Sequence, residues 1–219
     1  MNQVAERLAG VEDRIRTAGG DPERITVLGV TKGHGVEAID AAAAVGLDDV
    51  GENYAQELAA KHSERATLDL RWHMIGNVQT NKVKLLAPIV HLWQTVDRPS
   101  LVAELGKRVP GARVLVQVNV SAELQKSGVA IDDAPALVER AREAGLDVRG
   151  LMAIAGAGPD EVVGPQLATL RRLVDGLDLE ECSMGMSGDL ELAVREGATI
   201  VRVGSALFGP RPGSPGLRN

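Results

Sequence analysis

One hydrophobic pattern repeats along the chain: a short β-rich run, a few small or polar residues, then a stretch with apolar residues at helical spacing. The β-rich runs fall at residues 25–31, 49–52, 71–75, 92–96, 113–120, 148–153, 181–186 and 200–203. Helical patterns lie between them, at 36–45, 54–64, 80–86, 99–108, 132–144, 161–173 and 189–196. Gly46, Gly145 and Gly197 stand where a left-handed residue commonly stops a helix. A further helix is predicted over residues 2–18, with Val4, Leu8, Val11 and Ile15 on one face and Gly19-Gly20-Asp21-Pro22 ending it.

Strands that alternate with helices predict a parallel sheet. Eight runs predict closure into a single α/β barrel of the (β/α)8 TIM type, with an extra N-terminal helix covering part of the outside. The second run is weak because Asp48 and Asp49 open it, so an open doubly wound sheet is the alternative. No linker or composition shift appears before residue 210. Residues 1–219 therefore read as one domain, with a Pro- and Gly-rich tail at 210–219 expected to be frayed.

Composition narrows the class. Apolar residues make up 44% of the chain and aromatics only 2%, so the core must be built from aliphatic side chains, as suits strands buried on both faces. A net charge of −6 with both signs interspersed argues against nucleic acid. The one cysteine, Cys182, forbids an internal disulfide and fits a reducing compartment. No apolar run approaches the ~18 residues of a membrane span. Residues 1–10 carry no apolar signal core. The expectation is a cytoplasmic protein with no membrane partner.

In such a barrel, chemistry sits at the C-terminal ends of the strands. The first strand ends at Thr31-Lys32-Gly33-His34, the second at Gly51-Glu52-Asn53-Tyr54, and the third at Gly76-Asn77 just after His73. The seventh and eighth end at Met186-Ser187-Gly188 and Gly204-Ser205. Small residues at helix starts let backbone N–H groups approach an anion, and barrels commonly bind phosphate there. The alternative is that Ser187 and Ser205 are N-caps. A lysine desolvated at a barrel mouth becomes a neutral amine able to form a Schiff base. A lone strand-end lysine is more often a surface residue. Lys32 opposite a phosphate cradle is the more specific arrangement, because pyridoxal 5′-phosphate (PLP) has an aldehyde at one end and a phosphate at the other. Arg202 shares a strand face with Gly204 and needs either a partner or a surface position.

Several segments resemble the YggS/PROSC family of PLP homeostasis proteins. They include residues 29–33 (GVTKG), 51–57 (GENYAQE), 72–76 (WHMIG) with 79–82 (QTNK), 117–119 (QVN), 126–128 (KSG), 150–154 (GLMAI), 183–187 (SMGMS) with Asp189, and 202–209 (RVGSALFG). The resemblance implies a PLP-bearing barrel similar to the N-terminal domain of alanine racemase. Lys32 would carry the cofactor as a Schiff base. Ser187, Gly204 and Ser205 would bind its phosphate, and Arg202 would face the pyridine nitrogen. Asn53 and His73 would line the pocket near the ring, with Met186 packed against it. Gly33 and Gly188 depart from the larger and acidic residues that the family commonly carries there.

An arginine beside the ring nitrogen keeps that nitrogen unprotonated and weakens the electron sink. Racemases of this fold add a second base from an extra β domain and a partner chain, and that domain is expected to be absent here. The expectation is a monomeric PLP carrier or regulator with little or no turnover, serving PLP and amino-acid homeostasis, with PLP-dependent apo-enzymes as candidate partners. A weak racemase or lyase is the alternative, which a second acid or base such as Tyr54, His73 or Lys82 near the Schiff base would favour. A third reading is a barrel enzyme for another phosphate, with Lys32 forming a substrate Schiff base. His34 is expected in an exposed loop. Cys182, Trp72 and Trp93 are expected to pack, Lys84 to face solvent, and no metal spacing surrounds His62 or His91.

Overall fold

The computed structural model describes residues 3–123 and 125–211. Helix α1 (Gln3–Thr17) comes first, followed by β1 (Thr26–Val30), α2 (Glu37–Ala43), β2 (Asp49–Glu52), α3 (Ala55–Glu64) and β3 (Arg71–Met74). A 3₁₀ turn at Thr80–Lys82 leads into α4 (Val83–Leu86), then β4 (Val90–Val96), α5 (Pro99–Arg108) and β5 (Arg113–Val118). A second 3₁₀ turn at Ile131–Asp133 precedes α6 (Ala134–Glu143), β6 (Asp147–Ala153) and α7 (Asp160–Gly176). The chain continues through β7 (Glu181–Ser183), α8 (Leu190–Arg195), β8 (Ile200–Val203) and α9 (Ser205–Phe208).

All eight strands are parallel and close in sequence order, with β1 pairing β8 from Thr26↔Ile200 to Gly29↔Val203. This is the predicted (β/α)8 barrel, and the open-sheet alternative falls. The weak second run becomes β2 because its acidic start is neutralised. The Arg71 guanidinium donates to both Asp49 carboxylate oxygens (2.8 and 2.6 Å), and the His73 ring nitrogen Nε2 lies 2.9 Å from Oδ1. Burial pushes the Asp49 carboxyl up, but these partners outweigh it and hold it well below the usual carboxylate range.

Strand alternation sorts the side chains into two cores. Leu28, Val30, Ile75, Leu92, Leu115 and Met152 fill the barrel. A larger aliphatic cluster lies between strands and helices and includes Val11 and Ile15 of α1. Helix α1 packs on α8 and α9, as expected of a helix covering the outside.

Strand β7 stops at Ser183 instead of continuing to residue 186. Gly185 turns the chain at φ +87°, where an added Cβ would meet Ala193 Cβ at 2.4 Å. That turn releases residues 186–188 from the ladder and makes them a rim loop. Among the described residues no helix is long and apolar enough to cross a membrane, and no cluster of metal-ligating side chains occurs. Residues 212–219, most of the tail expected to be frayed, lie outside the described residues.

Cys182 is fully buried, and burial pushes its thiol up to about 12. We expect no reaction with a thiol reagent at pH 8 in the folded protein and one equivalent after denaturation. Rapid labelling of the native chain would contradict this packing.

Candidate functional site

A cavity of about 270 Å³ opens at the C-terminal rim above β7, β8, β1 and β2. Lys32 and His34 enter from the turn after β1, and Asn53 from the end of β2. Met186, Ser187 and Gly188 come from the loop after β7, and Arg202, Gly204 and Ser205 from β8 and the start of α9. Val30, Ile75 and Ile154 supply an apolar wall, and Gly209 and Arg211 close one side.

Seven of the eight sequence-predicted site residues therefore meet in one cavity. His73 is the correction. It lies on the inward face of β3, as alternation requires, but one layer too low. Ile75 occupies the top layer, and two residues of strand place His73 about 7 Å deeper. The His73 ring instead sits in a bonded chain through the barrel. Arg202 Nη1 donates to Ser183 Oγ (2.8 Å), and Ser183 Oγ donates to Gln94 Oε1 (2.7 Å). Gln94 Nε2 then lies 2.8 Å from His73 Nδ1, and His73 reaches Asp49. Arg202 sits as deep as this chain, but its longer side chain reaches up to line the cavity.

Arg202 is buried, and its second donor bond goes to Ala153 O (2.8 Å). Burial pulls its guanidinium down to about 10, which leaves it protonated at neutral pH. Burial likewise pulls the Lys32 ammonium below its usual 10.5, helped by the positive charges of Arg211 and Arg202 and opposed by Glu52. His34 lines the cavity instead of standing free in solvent, and burial, Lys61 and Arg211 lower its pKa.

The turn that carries Lys32 is clamped through Lys61, a residue the sequence did not single out. Lys61 of α3 donates to Thr31 O (2.7 Å), Glu52 Oε1 (2.6 Å) and Glu57 Oε1 (2.7 Å). Thr31 Oγ1 also donates to Glu52 Oε1 (2.6 Å), and Gly33 N donates to Glu57 Oε1 (2.7 Å). Both neighbours of Lys32 are thus held. In the sequence Glu57 and Lys61 look like an ordinary solvated i,i+4 pair, yet Lys61 is 4% exposed and Glu52 0%.

The opposite wall is held by α1. Arg14 donates to Ser187 O (3.0 Å) and grips Glu191 of α8 through two bonds of 2.6 and 2.7 Å. Asp189 Oδ1 accepts from Met186 N (2.7 Å). Gly188 has open space where a Cβ would stand, and a Cβ on Gly204 would lie 3.3 Å from Val30 O. One wall therefore offers an amine and the other offers small residues with serine hydroxyls, across a buried guanidinium. Tyr54, Lys82 and His73 do not line this cavity.

The model of the alanine racemase N-terminal domain matches residues 13–212. The pyridoxal phosphate homeostasis protein of Pseudomonas aeruginosa is 43% identical over 96% of this chain and 97% of its own length. Its counterpart in Escherichia coli (strain K12) is 36% identical over 96% and 98%. The solved structure of PipY from Synechococcus elongatus PCC7942 with PLP bound superposes with a TM-score of 0.80 at 32% identity, covering 94% of this chain and all of PipY. With near full-length identity above 30% and the same barrel, the chain belongs to the pyridoxal phosphate homeostasis (YggS/PROSC) family, built on the alanine racemase N-terminal domain.

Proposed function

We propose that the Lys32 cavity holds PLP and that the chain is a cytoplasmic, monomeric PLP carrier with little or no turnover, acting in PLP and amino-acid homeostasis and supplying PLP-dependent apo-enzymes. The observation that carries this is the pairing of a desolvated amine with a small-residue cradle across one cavity. PLP when bound supplies an aldehyde for a lysine and a phosphate for an anion site. Lys32 forms the Schiff base. Ser187, Gly204 and Ser205 take the phosphate, Arg202 faces the pyridine nitrogen, and Asn53 and Met186 flank the ring. His73 acts only through Gln94 and Ser183, by fixing the Arg202 guanidinium. The names of the bacterial relatives and the PLP-bound PipY structure support this reading.

The test is spectroscopic. On addition of PLP the protein should turn yellow, lose the colour on borohydride reduction, and retain the added mass on the Lys32 peptide. A protein that stays colourless with excess PLP overturns the reading. The lowered Lys32 pKa sets the pH dependence: a neutral amine is needed, so the rate of colour formation should rise with a midpoint below 10.5. Arg211→Ala removes one of the charges that lower it, and the midpoint should move up. A midpoint that does not move would remove Arg211 from this role.

A weak racemase or lyase remains the second reading, and His34 is the observation that favours it, a partly buried imidazole held towards its neutral form in the same cavity. Alanine racemisation that is lost in His34→Ala, with PLP uptake intact, would establish it.

A further inference from the structure

We propose that helix α1 works as part of the phosphate site: Arg14 aims the Gly188 N–H at the phosphate, Arg7 holds the facing half of the cradle, and the preference for PLP over pyridoxal, which lacks the phosphate, depends on both. This rests on the Lys32 cavity being the PLP site. Neither arginine lines that cavity, so both are positioning residues.

Arg7 and Arg14 stand seven residues apart and so share one face of α1. Each grips a carbonyl of a different cradle segment. Arg14 Nη2 donates to Ser187 O (3.0 Å) in the loop after β7, and Arg7 Nη1 donates to Leu207 O (3.2 Å) in α9, the helix that opens with Ser205. Arg7 also packs beside Gly209, where a Cβ would stand 3.2 Å from its Nη1. The sheet does not hold these segments together. The last backbone bond between β8 and the end of β7 runs from Arg202 N to Gly185 O (3.0 Å), which leaves residues 186–188 beyond it. One helix therefore sets the spacing of the two halves.

The Arg14 bond also sets a direction. In a trans peptide the carbonyl and the following N–H point opposite ways. Arg14 draws the Ser187 carbonyl away from the cavity, so the Gly188 N–H faces the cavity that Gly188 lines. The Met186 N–H is spent on Asp189 Oδ1 (2.7 Å), whereas the Gly188 N–H makes no hydrogen bond among the described residues. A free backbone donor at this place suits a phosphate oxygen. Arg14 is itself fixed. Its Nε and one Nη2 hydrogen go to Glu191 (2.6 and 2.7 Å), and the other Nη2 hydrogen goes to Ser187 O. Glu191 neutralises the guanidinium, so what Arg14 supplies is aim and not net charge.

The experiment titrates the full chain with PLP and with pyridoxal, follows the yellow colour, and compares the two dissociation constants. The double variant Arg14→Ala, Glu191→Ala keeps the net charge of the pair. It should bind PLP at least about tenfold more weakly, the worth of one charge-assisted hydrogen bond, with pyridoxal unchanged. Arg7→Ala should shift the ratio the same way. Arg16→Ala, at an exposed pair with Glu12 on the same helix, should leave it alone. If the double variant does not fold, Arg14→Lys carries the test: it keeps the charge but not the fork, and should lose part of the preference. Equal weakening of both ligands would mean that α1 only stabilises the barrel, and an unchanged ratio would mean that it does not aim the loop; either result overturns the inference. A wild type that stays colourless, or takes pyridoxal as tightly as PLP, overturns the Lys32 reading and this inference with it.

Discussion

Replacing Lys61 by methionine should lower stability by about 3–5 kcal/mol, because breaking a buried ion pair leaves its partner uncompensated. For a chain of this size that is a melting temperature lower by roughly 6–20 °C. Methionine keeps most of the stem, so packing changes little. What is lost is the ammonium that holds Glu52, Glu57 and Thr31 together. Glu52 already has one buried oxygen, Oε2, without a partner. Losing Lys61 removes most of what remains.

The effect should depend on pH in a definite direction. Burial raises the Glu52 pKa above its usual 4.5, and without Lys61 the charged hydrogen-bond partner that opposes that rise is gone. An acid whose folded-state pKa is raised contributes stability below its unfolded value and loses it as pH climbs through the folded one. The deficit of Lys61→Met should therefore be small in acid and grow towards neutral pH. The double variant Lys61→Met, Glu52→Gln should recover much of it. Thermal melts across pH test both statements, and a deficit that is flat from acid to neutral pH would mean that the buried charge is not its cause. PLP uptake should fall as well, since the turn on both sides of Lys32 is released.

The second large effect is expected at Gly76. A Cβ there would stand 2.0 Å from Asn53 O and 2.6 Å from Asn53 C and Cα. These are backbone atoms, so no side-chain rotation relieves the clash, and Gly76→Ala should cost at least the upper end of the usual ~1–3 kcal/mol of overpacking. Gly150→Ala makes a comparable clash, 1.9 Å from Glu181 O, but in the middle of β6 beside the first residue of β7, away from the cavity. The two variants should be similarly destabilised. Only Gly76→Ala should also impair PLP uptake, because it displaces Asn53. Equal uptake by both at a temperature where both are folded would show that the Gly76–Asn53 contact does not shape the cavity.

Much of this was legible in the sequence because it depends on local rules. Two- and 3.6-residue periods fix the strands and helices, and the barrel rule then puts residue 32, residues 53 and 186–187, and residues 202–205 at one rim. His73 shows where that logic stops. Alternation assigns a residue to the inside of a barrel but says nothing of its height, and height depends on where each strand meets the rim. Lys61 shows a second limit. Its burial comes from how α3 lies over the end of β2, which no local pattern encodes. Arg211 shows a third. It belongs to the Pro- and Gly-rich tail expected to be frayed, yet it lines the cavity and acts on Lys32.

The clasp of α1 onto the loop after β7 ties Arg14 to Ser187 across nearly the full length of the chain. Strand β1 likewise waits for β8, while β7 meets β8 at the single ladder pair Ser183↔Ile200. During synthesis the first strand leaves the ribosome with an open edge that only the final strand can cover. The amine and the small-residue cradle proposed for phosphate lie on opposite sides of that last seam. A cofactor that bridges them would stabilise the closed form by mass action. Supply of the cofactor to a growing culture should then set how much newly made chain survives proteolysis, independently of any chemistry the site performs.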